Sequence, residues 1–493
     1  MAIYKNNPAA QKMFNTGVSN ANAAYAAARI NPNNSIDHTS TSDYDEAYKG
    51  AAAGFNDVAS DQFNSQFANE TNPVYQNAYT KAANEATAYA TQGAILGNTG
   101  KQISDGWNGS TDQAVINAVT SGYNDSYTGY VAAIQDPSKN FNHTSNSNID
   151  KSYNGAAAAF NDIAGNNGKA SRSISADSVY TTAYDKAYAL GLQYQNKGAA
   201  DAVNNIDEQT GINSLSGYQG LIDVYDRGYK DSGDGYKLAQ QNRNDQANHT
   251  SDSNSDVSYN GAAAGFTDTI NGEVGKHQND NKTPTYQNAY TRAVKEAQSQ
   301  IHQATLDFNN GLNRDTQAQQ ISAGSDKDAY VTGYNNASDV YKSVQDSGEN
   351  DGKHTSDSVN DEQYRGAMNA FTDVINGTPG ANASTDGVAV SEKQNTSDVY
   401  TSAYAKAQVE ATQDALNGAN DFVSPNASGN APTAAGKLKA YDKGVNDAQS
   451  AYELAQNDRT QSSAHSTDSN FDVVYTNAVA GFNDAIERPI STC

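Results

Sequence analysis

His249-Thr250-Ser251-Asp252-Ser253-Asn254-Ser255-Asp256-Val257-Ser258-Tyr259-Asn260-Gly261-Ala262-Ala263-Ala264-Gly265-Phe266-Thr267-Asp268 recurs, with substitutions, five times along a chain of 493 residues. Counted from the histidine (His38, His143, His249, His354 and His465), the offsets are the same in every copy. Four residues on stands a serine (Ser42, Ser147, Ser253, Ser358, Ser469), and seven on an aspartate (Asp45, Asp150, Asp256, Asp361, Asp472). Ten on is a tyrosine (Tyr48, Tyr153, Tyr259, Tyr364, Tyr475), and seventeen on a phenylalanine (Phe55, Phe160, Phe266, Phe371, Phe482). Nineteen on is a second aspartate (Asp57, Asp162, Asp268, Asp373, Asp484). The histidines stand 105, 106, 105 and 111 residues apart. A fixed long period decides architecture before local signals do, because each period is one supersecondary unit stacked on its neighbours. The chain reads as an array.

Within the quoted stretch, Tyr259, Ala262, Ala263, Phe266 and Ile270 fall at helical spacing and make one apolar stripe. The Ser-x-x-Asp at its start is close to a capping box, in which each side chain meets the other's free backbone N–H. An acid there also suits the positive end of a helix. This segment, B, is a predicted helix. Upstream lies segment A, about residues 11–28 in the first copy, marked by Gly17, Gly122, Gly228, Gly333 and Gly444. Eight residues later in each A stands a tyrosine (Tyr25, Tyr130, Tyr236, Tyr341, Tyr452). Downstream, past a Gly/Asn-rich loop, segment C opens twice with a proline suited to a first turn (Pro73, Pro284). It reads Tyr-x-x-Ala-Tyr-x-Lys/Arg-Ala through Tyr75/Tyr79/Lys81, Tyr180/Tyr184/Lys186, Tyr286/Tyr290/Arg292 and Tyr400/Tyr404/Lys406. In the fourth copy GTPGANASTDG (377–387) lengthens the loop before C. A small residue beside an aromatic recurs in all three segments, a pattern that lets helices approach closely while the ring fills the neighbouring groove.

The order is ABC four times and then AB, which predicts 14 helices. The expected fold is all-α: a tandem array of three-helix repeats of about 105 residues forming an elongated rod or solenoid. The repeats fall at 1–110, 111–216, 217–323 and 324–433, with a partial fifth at 434–493. The constant period favours a fixed geometry between copies. Polar C-to-A linkers such as GNTGKQISDGWNGSTD (97–112) favour beads, and bundles set end to end are the preferred expectation.

Only 36% of the residues are hydrophobic and the mean hydropathy is −0.78, which leans towards disorder. Aromatics at fixed phase (31 Tyr and 12 Phe) argue the other way. They point to a thin core of Ala, Tyr and Phe, with tyrosine hydroxyls at its wet edge. A net charge of −24 disfavours nucleic acid, whose binding runs on Lys and Arg against phosphate, and equally an anionic membrane surface. No apolar run is long enough to insert in a membrane, the opening residues carry no signal-peptide core, and no LPxTG sequence occurs. The single cysteine, Cys493, forms no internal disulfide and reads as an engineered handle or a thiol that dimerises the chain.

The five histidines are too far apart to share a metal, so the expectation is that each organises the turn before B, with metal or pH sensing the lesser reading. Asp252-x-Asn254-x-Asp256 looks like the start of a calcium loop, but Ala263 stands where its closing acid belongs, and Thr41 and Asn146 lead the first two copies. Capping is preferred to calcium, and no cofactor is expected. The second aspartate sits late in B, where the helix dipole disfavours it. Its recurrence suggests a partner, with Lys81, Lys186, Arg292 and Lys406 as candidates, and a solvated acid stands as the equal alternative. Sequons at Asn69, Asn108, Asn142 and Asn248 follow from composition. No nucleophile elbow, phosphate loop, HExxH or cysteine cluster occurs, so no enzyme is expected.

The repeated HTSxSxxDxxYxGAxxxF and YxxAYxKA patterns, rich in Asn, Thr, Ser, Ala and Tyr, resemble the repeat regions of large cell-surface proteins of Gram-positive bacteria. The lactobacillus-type adhesins and stalks are the nearest comparison. The resemblance covers the whole chain and implies an extracellular, cell-wall-associated spacer. Two alternatives stand beside the stalk. One is a multivalent array binding glycans or host ligands through exposed tyrosine faces and acidic loops; the other is a filament assembled from neighbouring copies of the chain.

Overall fold

The computed structural model describes residues 7–67, 70–107, 109–139, 147–322, 324–349, 352–356, 358–383, 397–424, 431–460 and 469–487. All regular structure among them is helical. The long helices are α1 (Pro8–Ile30), α2 (Asp43–Ala59) and α3 (Pro73–Asn98), then α4 (Gln113–Gln135), α5 (Asn148–Ala164) and α6 (Ser178–Val203). There follow α7 (Gln219–Gln241), α8 (Asn254–Ile270), α9 (Pro284–Asn309), α10 (Gly324–Ser347), α11 (Val359–Ile375) and α12 (Asp398–Val423). The last are α13 (Ala435–Asn457) and α14 (Ser469–Glu487). Lengths of 23, 17 and 26 residues return in order from α1 to α9.

The helix starts follow local chemistry. Ser42, Ser147 and Ser358 accept the N–H of Asp45, Asp150 and Asp361 at 3.1–3.2 Å. Proline opens α3 and α9, behind the caps Asn72 and Thr283. The C-to-A connections, read from the sequence as plain linkers, contain short helices at Ile103–Gly106, Glu208–Asn213 and Arg314–Ala318. Helices this short do not persist alone and announce no periodicity. Packing holds them: Ala318 is buried against Tyr330.

By contacts the chain divides into two compact units, Met1–Gly235 with Asp252–Ser255, and Tyr236–Ser251 with Asp256–Cys493. In the first, buried Tyr48, Ala51 and Phe55 of α2 meet Ala24 and Ala28 of α1 and Ala82 and Ala86 of α3. In the second, Tyr364, Ala367 and Phe371 of α11 meet Tyr341 and Val344 of α10 and Tyr404 and Ala407 of α12. The core is thin, because alanine lets backbones approach and the rings fill what remains.

Within each unit, helices of successive copies are in direct contact. Helix α3 packs along α4 as extensively as α2 packs along α3, and in the second unit α12 packs along α13 much as α11 packs along α12. Glycines make this possible. A Cβ on Gly122 would overlap the carbonyl oxygen of Ala90, and one on Gly93 that of Val119. The same reciprocal pair recurs as Gly198 with Gly228, and as Gly418 with Gly444. Ala304 takes the α9 position, and there Gly333 faces the Cα of Ile301, 2.7 Å from where its Cβ would be.

Candidate functional sites: three recurring polar clusters

The first cluster is the turn before B. His38 Nδ1 lies 3.0 Å from Asp45, and its ring stacks on Tyr48 at 3.6 Å. His249 meets Asp256 at 2.8 Å and Tyr259 at 3.7 Å, and His354 meets Asp361 at 2.8 Å and Tyr364 at 3.8 Å. His143 and His465 lie outside the described residues. The carboxylate takes donors from the loop: Asp256 accepts from Ser251 N at 3.0 Å and Oγ at 2.6 Å. In the first and fourth copies the capping serine's N–H goes to Ser40 Oγ and Ser356 Oγ instead. Hydrogen bonds from Ser40 and His38 hold the Asp45 carboxyl below the usual carboxylate range. Burial opposes the same fall at Asp256 and Asp361, where the serine and histidine bonds outweigh it. The tyrosine below the ring fastens B to the end of A, donating to Asn31 O (Tyr48), Asn242 O (Tyr259) and Asp458 O (Tyr475) at 2.5, 2.6 and 2.8 Å. Tyr153 likewise bonds Asp136 O at 2.9 Å, and Tyr364 bonds Glu349 O at 3.2 Å. Seven residues past these tyrosines, Phe55, Phe160, Phe266 and Phe371 are at most 1% exposed, whereas Phe482 is half-buried against Tyr452.

The second cluster is built on the late aspartate of B. In the first four copies its partner is neither a lysine nor bulk water, whereas Asp484 of the fifth is exposed. Asp57, Asp162, Asp268 and Asp373 are at most 3% exposed. They accept from Tyr79, Tyr184, Tyr290 and Tyr404 of the C helix at 2.6–2.8 Å. The B-to-C loop supplies the other donors: Ser65 Oγ and Gln66 N, Ser171 N and Oγ, His277 N and Nδ1, and Asn382 N and Nδ2. The Tyr–Asp separation is 22 residues in three copies and 31 in the fourth, so the pair survives the longer loop. Burial would raise the Asp268 carboxyl, but the bonds from His277 and Tyr290 outweigh it and hold it low. Burial, helped by that carboxylate, pushes the Tyr290 phenol up to about 12. These hydroxyls are therefore inside, not at the wet edge expected of them.

The lysines serve a third cluster, between C and A. Lys81, Lys186 and Arg292 sit 4.0–4.2 Å from the ring centres of Tyr25, Tyr130 and Tyr236, and Lys406 is 5.3 Å from that of Tyr341. In three copies the tyrosine hydroxyl donates to a glutamate one turn past the cation: Glu85 at 2.6 Å, Glu296 at 2.9 Å and Glu410 at 3.1 Å. A residue one turn past the tyrosine pairs with the same acid: Arg29, Gln240 or Gln345. The glutamates were missed in the sequence because the second copy breaks their pattern, with Leu190 at that place.

These clusters tie loops and helices together through their own side chains. No group of three or more His, Cys, Asp or Glu able to hold a metal occurs among the described residues, and Asp256 of the calcium-like stretch is bonded to His249 and Ser251. No described helix is long and apolar enough to cross a membrane. A cavity of about 960 Å³ is an open groove between α8, α9, α10 and α11, beside the junction where Ala304 replaces glycine.

No protein-family model, no curated protein and no solved structure matches the chain. What it does is argued from its own residues.

Proposed function

We propose that the chain is a non-enzymatic structural segment: a tandem array of three-helix repeats forming the extracellular, wall-associated stalk of a bacterial surface adhesin, with copy number setting its length. One observation carries this reading: the C helix of one copy packs on the A helix of the next through closely apposed backbones, repeatedly, in each of the two units. Such junctions make each copy a support for its neighbour, as in a solenoid. The polar clusters support it too, since their recurring carboxylates and tyrosines are engaged inside the protein. Multivalent glycan binding called for exposed tyrosine faces, yet the repeated tyrosines of B and C are buried. Excising the third copy (217–323) tests the proposal in the analytical ultracentrifuge. A stalk loses frictional ratio in proportion to the missing copy and keeps its helical content per residue. Loss of helix from the remaining copies would sink it.

A further inference from the structure

In the third cluster the second copy departs from its sisters at two positions, and there it leaves two polar groups lining cavities. Where the other copies carry Glu85, Glu296 and Glu410 it has Leu190, and where they carry Arg29, Gln240 and Gln345 it has Ile134. The acid and its partner are both replaced by aliphatic side chains, while the tyrosine and the cation stay. Tyr130 is only 5% exposed, and its hydroxyl makes no hydrogen bond among the described residues, although its counterparts donate to carboxylates at 2.6–3.1 Å. The Lys186 ammonium lies 4.2 Å from the Tyr130 ring and donates to Gly97 O at 3.1 Å, with no ion pair among the described residues. Burial lowers its pKa, the mark of a cation short of counter-charge. Asp185, which lines the same space, is engaged by Arg172 at 2.6 and 2.7 Å.

Two cavities of about 590 and 460 Å³ are each lined by both Lys186 and Tyr130. The second is walled by Ile134, Leu215 and Leu221, with Tyr127 and Tyr218 beside them. Those two tyrosines are 62% and 45% exposed, unlike the buried repeated ones. We propose that this is a binding site for a small amphipathic carboxylate, whose carboxylate takes the place of the missing glutamate between Lys186 and Tyr130 and whose apolar body lies on Ile134, Leu215 and Leu221. A desolvated ammonium and a phenol donor are a charge-assisted pair of partners for one carboxylate, and a mostly apolar cleft with few convergent polar groups is the usual form of a small-ligand site. The site stands independently of the stalk reading.

The test uses the full chain, octanoate, and octanamide as its neutral counterpart, with affinities from calorimetry. Octanoate is expected to saturate one site per chain and octanamide to bind at least about tenfold more weakly. Leu190→Glu, which restores the arrangement of the sister copies, should cost octanoate at least about tenfold by filling the site with an internal acid. Lys186→Met carries the same expectation and decides the matter if Leu190→Glu does not fold. Absent octanoate binding, equal affinity for the amide, or undiminished binding in the folded variants would each overturn the proposal.

Discussion

Asp268 accepts from a phenol, a backbone N–H and an imidazole at 2.6–2.8 Å while showing no surface to solvent. A buried carboxylate is costly unless its lone pairs are met, so losing one donor costs more than one exposed hydrogen bond. Tyr290→Phe should therefore destabilise the protein by about 1–3 kcal/mol, read as a fall in the urea midpoint. Tyr218→Phe, at an exposed ring, should change nothing in the same assay. The acids also set a pH profile. Asp45, Asp256, Asp268 and Asp361 are held below their unfolded value, about 3.9. Their stabilisation is present above that pH and lost as pH falls through the folded values. Asp125 and Asp326 act oppositely: burial first, then the neighbouring acids Asp61 and Glu296, raises them to about 6. Their cost is present at pH 7 and relieved as pH falls through that value. Thermal midpoints should thus rise slightly from pH 7 to about 5 and drop below about 4; a midpoint highest at pH 7 would contradict these assignments. At this scale the sequence placed the aspartate but left a basic partner on C and a solvated acid as equal readings, and Asp268 has neither. It did not reveal the tyrosine, because a 22-residue separation between Asp268 and Tyr290 spans two helices and a loop, and no local spacing rule covers that.

Between elements, the same repeat position makes opposite demands according to what packs on it. Gly122 of α4 lies against the Ala90 backbone of α3, whereas Gly17 of α1 has nothing within 4 Å of its would-be Cβ. Gly122→Ala must push two helices apart and should cost about 1–3 kcal/mol or more. Gly17→Ala meets only solvent and gains helix propensity, so it should stabilise α1 by about 0.5–1 kcal/mol. Denaturation of the two variants side by side checks the sign reversal. The helices themselves were largely legible: the stripe from Tyr259 to Ile270 lies within α8, and Pro73 and Pro284 open α3 and α9. What was not legible is how C meets the next A. Gly93 and Gly122 look like weak helix formers in isolation, and their value appears only when two helices are laid together. The same blindness made the linkers read as spacers.

Within each unit the repeated junctions let neighbouring copies support one another, and the proposed stalk adds that extent follows copy number. The 105-residue period was plain in the sequence, whereas the departure at Leu190 gained meaning only once Glu85, Glu296 and Glu410 were seen to receive tyrosine hydroxyls. The most direct measurement is small-angle X-ray scattering on the chain and on the variant lacking residues 217–323, each with and without calcium and with Cys493 reduced. The proposed stalk is expected to be an elongated particle whose maximum dimension shortens by one repeat in the variant and is unchanged by calcium. A compact particle of the same dimension in both, or one that stiffens only when calcium is added, would contradict it.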